Sequence, residues 1–168
     1  MHESLYMYPL VESVHVLTLC LFVGMAVLLD LRLLGLTLRR VSVQELTDRL
    51  LPFMIAGFVI MFVTGVLLFY AIPVRSYLNI FFRLKVIALV LAGANALYFH
   101  EGIHKRVHEW GADARTPARA RLAGAASLFL WAFIIVCGRM IAYNWFDCDM
   151  HLGPVMQTLT GCPSTERR

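Results

Sequence analysis

One histidine sits where histidines are costly. His15 lies near the start of the stretch ESVHVLTLCLFVGMAVLLDLR, residues 12–32, which carries no formal charge from Ser13 to Leu29 when the imidazole is neutral. An ionisable side chain inside an apolar run of this length is a functional hypothesis in itself. Haem iron in membrane bundles is held by imidazoles that project inward from helices, so His15 is a candidate axial ligand and haem a candidate cofactor. The structural alternative is a neutral histidine hydrogen-bonded inside the bundle, for example to Glu12 one turn back. Two cations fall at a similar depth. Lys85 either snorkels to the headgroups or flanks the cofactor. Arg139 lies six residues before Trp145, about 9 Å below the boundary by helix rise. An arginine buried at that depth needs an anion, such as a haem propionate, Glu12 or a lipid phosphate.

Further along the chain, His100, His104 and His108 stand at i, i+4 and i+8. Imidazoles at i, i+4 can chelate a transition metal. Glu101, Lys105, Arg106 and Glu109 surround them, which suits a solvated helix end for His104 and His108 and leaves His100 at the membrane rim as a further cofactor candidate. His15 and His100 fall near opposite membrane faces, about 20 Å apart by helix rise, and cannot share one haem. Cys148 and Cys162 lie in the tail FDCDMHLGPVMQTLTGC. A disulfide between them is expected in an oxidising compartment, the alternative being a metal site with His151. Cys20 and Cys137 fall inside apolar runs and read as small apolar residues.

The elements that must position these groups are membrane helices. The chain is 60% hydrophobic and 15% charged over 168 residues, which excludes a soluble domain and a disordered chain. Four apolar runs, at about 10–31, 50–72, 81–103 and 121–145, are each long enough to span a bilayer. The expected fold is all-α: an integral-membrane, up-down four-helix bundle in a single domain, with an outward tail over 146–168. Pro52 suits a first helical turn and Pro73 a stop. Ser42 with Glu45 has capping-box spacing and predicts a short helix leading into the second span. Gly57, Met61, Thr64 and Gly65 share one side of the second helix, and Ala88, Ala92 and Ala96 one side of the third. Small residues let membrane helices approach closely.

Charge sets the orientation. The first loop holds Arg32, Arg39, Arg40 and Arg49, and the third holds Lys105, Arg106, Arg115, Arg119 and Arg121. By the positive-inside rule that side is cytoplasmic. Both termini then face outward, into the periplasm of a bacterial inner membrane. The net charge of +4 does not imply nucleic acid, because the basic residues are confined to loops. No secretory signal is visible in MHESLYMYPLVE, so the first apolar run is expected to remain.

The string Glu-Ser-Val-His-Val-Leu…Phe-Val-Gly, residues 12–24, resembles the first helix of the four-helix membrane protoporphyrinogen oxidases, and also the copper-resistance D family of inner-membrane proteins. Arg83-Leu84-Lys85…Tyr98-Phe99-His100 is similar to the oxidase family's Lys…Tyr-His helix. The resemblance covers two of four helices at motif level and implies b haem at the histidine. Overall the chain resembles a bacterial four-helix inner-membrane family with no established function. The expected function is a membrane b-type haem protein in electron transfer near the outer face, with a redox partner or quinone. The alternatives are a cofactor-free small subunit of a larger membrane assembly, and metal handling through the tail and inner histidines. Whether it is an enzyme stays open.

Overall fold

The computed structural model describes residues 6–103, 105, 107, 116–143 and 155. Within them the chain is helical, with no strand. Helix α1 is Met7–Leu33, α2 is Val43–Ala71, α3 is the short Pro73–Leu78, α4 is Ile80–Tyr98 and α5 is Ala118–Ala142. A single π-helical turn, Phe99–Ile103, prolongs α4. Four segments are long and apolar enough to cross a membrane: α1, α2, α4 through Gly102, and α5.

Local chemistry explains the boundaries. Ser42 caps α2 by accepting a bond from the Glu45 amide at 3.1 Å, as the capping-box spacing predicts. No separate short helix follows, however. α2 runs unbroken from Val43 to Ala71 with Pro52 inside it, not in its first turn. The bond that Pro52 cannot make leaves the Asp48 carbonyl without an amide partner. Asp48 is exposed, in a charged stretch where Arg49 pairs with Glu45 at 2.8 Å, so water is at hand to satisfy that carbonyl. The stop before Pro73 is present: α2 ends at Ala71, and Pro73 opens α3 at its first position. Asn79 then starts α4 by accepting from the Phe81 amide at 2.9 Å.

A soluble bundle buries one stripe of each helix, whereas these helices are apolar all round. On α2 alone, Phe53, Ile55, Phe58, Phe62, Val63 and Leu67 are exposed. Such a surface suits lipid and not water. The interior is correspondingly narrow. Phe22, Met61, Ala88, Ala92, Trp131 and Ile134 form the central core, drawing on all four long helices, and the Phe22 and Trp131 rings meet edge to face at 4.8 Å. Ala88 and Ala92 are buried in it as expected, but Ala96, one turn on, is exposed. A second core, at the end that carries Arg32, joins Leu33, Val43, Val107, Ala120 and Ala123.

Two close approaches set the helix spacing. Gly57 lies where a Cβ would be 3.6 Å from Phe22 Cβ, and Gly124 where one would be 3.2 Å from the Asp30 carbonyl oxygen. Helix α1 packs between α2 and α5, and α5 packs on α4. The stacked rings of Phe69 and Phe82, 5.2 Å apart, bridge α2 and α4 at the end nearer His15.

Candidate functional site

The site starts at His15, half-buried on α1. Its Nδ1 lies 2.9 Å from Thr64 Oγ1 on α2. Thr64 has one hydroxyl proton, and it donates that proton down its own helix to the Ile60 carbonyl at 2.8 Å. Its oxygen must therefore accept from the ring, so Nδ1 carries the proton. The consequence is chemical: Nε2 keeps its lone pair, and the hydrogen bond at one ring nitrogen has fixed the role of the other. Gly65 completes the cradle, since a Cβ there would lie 3.3 Å from His15 Cε1.

Across the bundle, α4 brings Lys85 to the same layer. Its Nζ lies 3.6 Å from where a Cβ on Gly138 of α5 would be. It sits within electrostatic reach of both His15 and Cys137, and the Cys137 thiol is fully buried. Among the described residues no carboxylate forms an ion pair with Lys85. One polar layer thus takes His15 from α1, Thr64 from α2, Lys85 from α4 and Cys137 from α5, with Gly65 and Gly138 as the gaps that admit the larger side chains. Helix rise agrees: His15 is about 12 Å in from the start of α1, and Lys85 about 8 Å in from the start of α4.

Other residues singled out in the sequence fall elsewhere. Glu12 is exposed, and it is Thr64 on the neighbouring helix that holds the His15 imidazole. Arg139 is exposed too. Its guanidinium donates to the Tyr143 hydroxyl and stands 4.4 Å over that ring, turned away from the polar layer. His100 is exposed on the π turn at the opposite end of α4, about 22 Å from the Lys85 level by helix rise. His104, His108, Cys148, His151 and Cys162 lie outside the described residues. Among the described residues no three His, Cys, Asp or Glu side chains gather as a metal cluster. Thr64 and Cys137 are the members that composition did not single out. Thr64 reads in the sequence as one more small residue of the α2 seam.

A second polar set lies at the far end of the bundle. Arg32, in the last turn of α1, has 0% of its surface exposed. Its Nε donates to the Val41 carbonyl at 2.7 Å, while both terminal nitrogens lack a partner among the described residues. Asp30 and Thr116 are also buried, each with one side-chain oxygen that has no partner among the described residues. Arginine stays protonated in proteins. The carboxyl end of the α1 dipole offsets part of that charge, but an unpaired buried ion still costs several kcal/mol.

Four lipid-compatible helices around a small polar layer define a multi-pass membrane protein. Residues 4–144 match the model of a family described as a family of unknown function (DUF6644), and the chain belongs to that family. No curated protein and no solved structure matches the chain.

Proposed function

We propose that the protein is a membrane b-type haem protein that takes part in electron transfer, with His15 as an axial ligand. The observation that carries this reading is the orientation of the imidazole. Its Nδ1–H is spent on Thr64 and its Nε2 lone pair is left available, which is the arrangement that ligating histidines adopt when a neighbouring acceptor fixes their tautomer. A bound haem b supplies one-electron chemistry, and the residues around it set its potential through ligand, charge and dielectric. Lys85 fits a place beside the ligand, completing or flanking the site from α4. Its unpaired ammonium also favours a quinone as redox partner, because it can donate to a carbonyl oxygen. The motif likeness of residues 12–24 to the membrane protoporphyrinogen oxidases points the same way.

The basic residues of the first and third loops support an orientation with the Arg32 end cytoplasmic. His15 and both termini then face the periplasm of a bacterial inner membrane. The test is a reduced-minus-oxidised spectrum and haem content of the protein purified from haem-sufficient cells. Haem b bands that disappear in His15→Ala are the expected result. A colourless wild type that purifies only with other chains removes the cofactor reading and leaves a structural subunit.

A further inference from the structure

We propose that Arg32 is the anchor of a phosphate-binding site that takes the headgroup of an anionic phospholipid from the leaflet at its end of the bundle. The starting point is the orphaned guanidinium. Arg32 is wholly buried and, among the described residues, bonds only through Nε and leaves both terminal nitrogens without an acceptor. Its nearest carboxylate in sequence does not serve. Asp30 is two residues away, and i, i+2 side chains do not face each other on a helix. No ion pair to Arg32 exists among the described residues. Two parallel N–H groups in a rigid fork match two oxygens of one phosphate.

The turn over the guanidinium points to lipid as the source of that phosphate. Residues 34–42 connect α1 to α2, and Leu36 is 68% exposed there. Leu38 is exposed as well, with Arg39 and Arg40 directly after it, also exposed. Leucines beside arginines at the end of a membrane helix suit the headgroup boundary, with the apolar side chains toward the acyl chains and the cations at phosphate level. Gly35 (φ 72°) and Leu38 (φ 52°) both take left-handed conformations, and these fold the turn back so that the Val41 carbonyl reaches Arg32. The amides of Leu34, Gly35, Leu36 and Thr37 bond back to carbonyls of α1 and fix the first half of the turn. A headgroup enters when the second half, residues 38–41, lifts; that half is held by Arg39 Nε to the Gly35 carbonyl, the Val41 amide to the Leu38 carbonyl at 2.9 Å, and Arg32 Nε to Val41. Arg39 and Arg40 then close on the same phosphate. This site is independent of the cofactor at His15.

The experiment uses the full chain in phosphatidylcholine nanodiscs with and without phosphatidylglycerol, read by thermal unfolding and by native mass spectrometry of retained lipid. Phosphatidylglycerol is expected to raise the unfolding temperature of the wild type and to be retained. Arg32→Gln is expected to lose about tenfold in retention, as for one charge-assisted bidentate pair. Arg32→Lys, which keeps the charge and a donor for Val41 but not the fork, is expected to fall between the two and covers the case in which the glutamine variant does not fold. Inorganic phosphate without the anionic lipid is expected to leave the unfolding temperature unchanged. Equal stabilisation by inorganic phosphate overturns the lipid source. Retention unchanged in both Arg32 variants but lost in an Arg39→Gln, Arg40→Gln double variant overturns the site, because surface charge alone then holds the lipid.

Discussion

Replacing Thr64 by valine removes one oxygen and keeps the shape of the side chain. In the wild type that oxygen accepts from His15 Nδ1–H at 2.9 Å while donating to the Ile60 carbonyl. The Ile60 carbonyl keeps its backbone helix bond, so the loss falls on the imidazole. A typical intramolecular hydrogen bond contributes about 0.5–1.5 kcal/mol net. The stability cost of the substitution should therefore lie in that range, about 1 kcal/mol. The effect on the haem proposed to bind at His15 is larger, because outer partners of ligating histidines typically change affinity about 10- to 100-fold. At the lower end of that range, about tenfold is expected, equivalent to roughly 1.4 kcal/mol. The assay is haem titration of apoprotein for wild type, Thr64→Val and Thr64→Ser, with a redox titration of each. Serine keeps the hydroxyl and should restore most of the affinity. Valine and serine variants that both match the wild type in affinity and potential would refute the claim that Thr64 sets the ring's role.

Other expectations follow from the same contacts. Gly124→Ala places a methyl 3.2 Å from both the Asp30 carbonyl oxygen and Leu33 Cβ; because backbone cannot swing aside, it should destabilise by about 1–3 kcal/mol, seen as a lower unfolding temperature in detergent. Reporter fusions after Arg40 and after Arg115 should report cytoplasm and one at the C-terminus periplasm; a cytoplasmic C-terminus would invert the placement of His15. Cys148 and Cys162 should resist thiol reagents until reduced, since a bridge closing a loop of about fifteen residues contributes about 3 kcal/mol in the chain-entropy model; labelling of both without reductant would favour the metal-site alternative.

Much of the architecture was legible because lipid restricts the options. Long apolar runs can only be helices there, and Ser42, Pro73 and Asn79 mark boundaries through chemistry that acts within a few residues. What the chain does not spell out is rotation. A helix that is apolar all round has no stripe to say which face turns inward. Ala96 therefore looked equivalent to Ala88 and Ala92 yet is exposed, and Arg139 looked buried yet turns out to Tyr143. His15 stood out at once, because its type is rare at that depth, but its partner could not be read locally. Glu12 was the sequence neighbour, whereas Thr64 arrives from another helix, 49 positions on. Pro52 misled for the opposite reason: its effect depends on the water available to Asp48, not on its position in an apolar run.

The order in which the helices neighbour one another bears on how the protein is made. α1 with α2, and α4 with α5, are adjacent pairs in both sequence and space, and the two pairs meet through α1 and α5. Each pair can insert from the ribosome as a hairpin before the two dock. The bond from His15 to Thr64 is internal to the first hairpin, and the contact of Lys85 with Gly138 to the second. Half of the polar layer is thus built during synthesis of each hairpin, and the imidazole meets the ammonium only when the late hairpin closes on the early one. A chain stalled after α2 holds an oriented histidine and no lysine, so any ligand that needs both is excluded until biogenesis is complete.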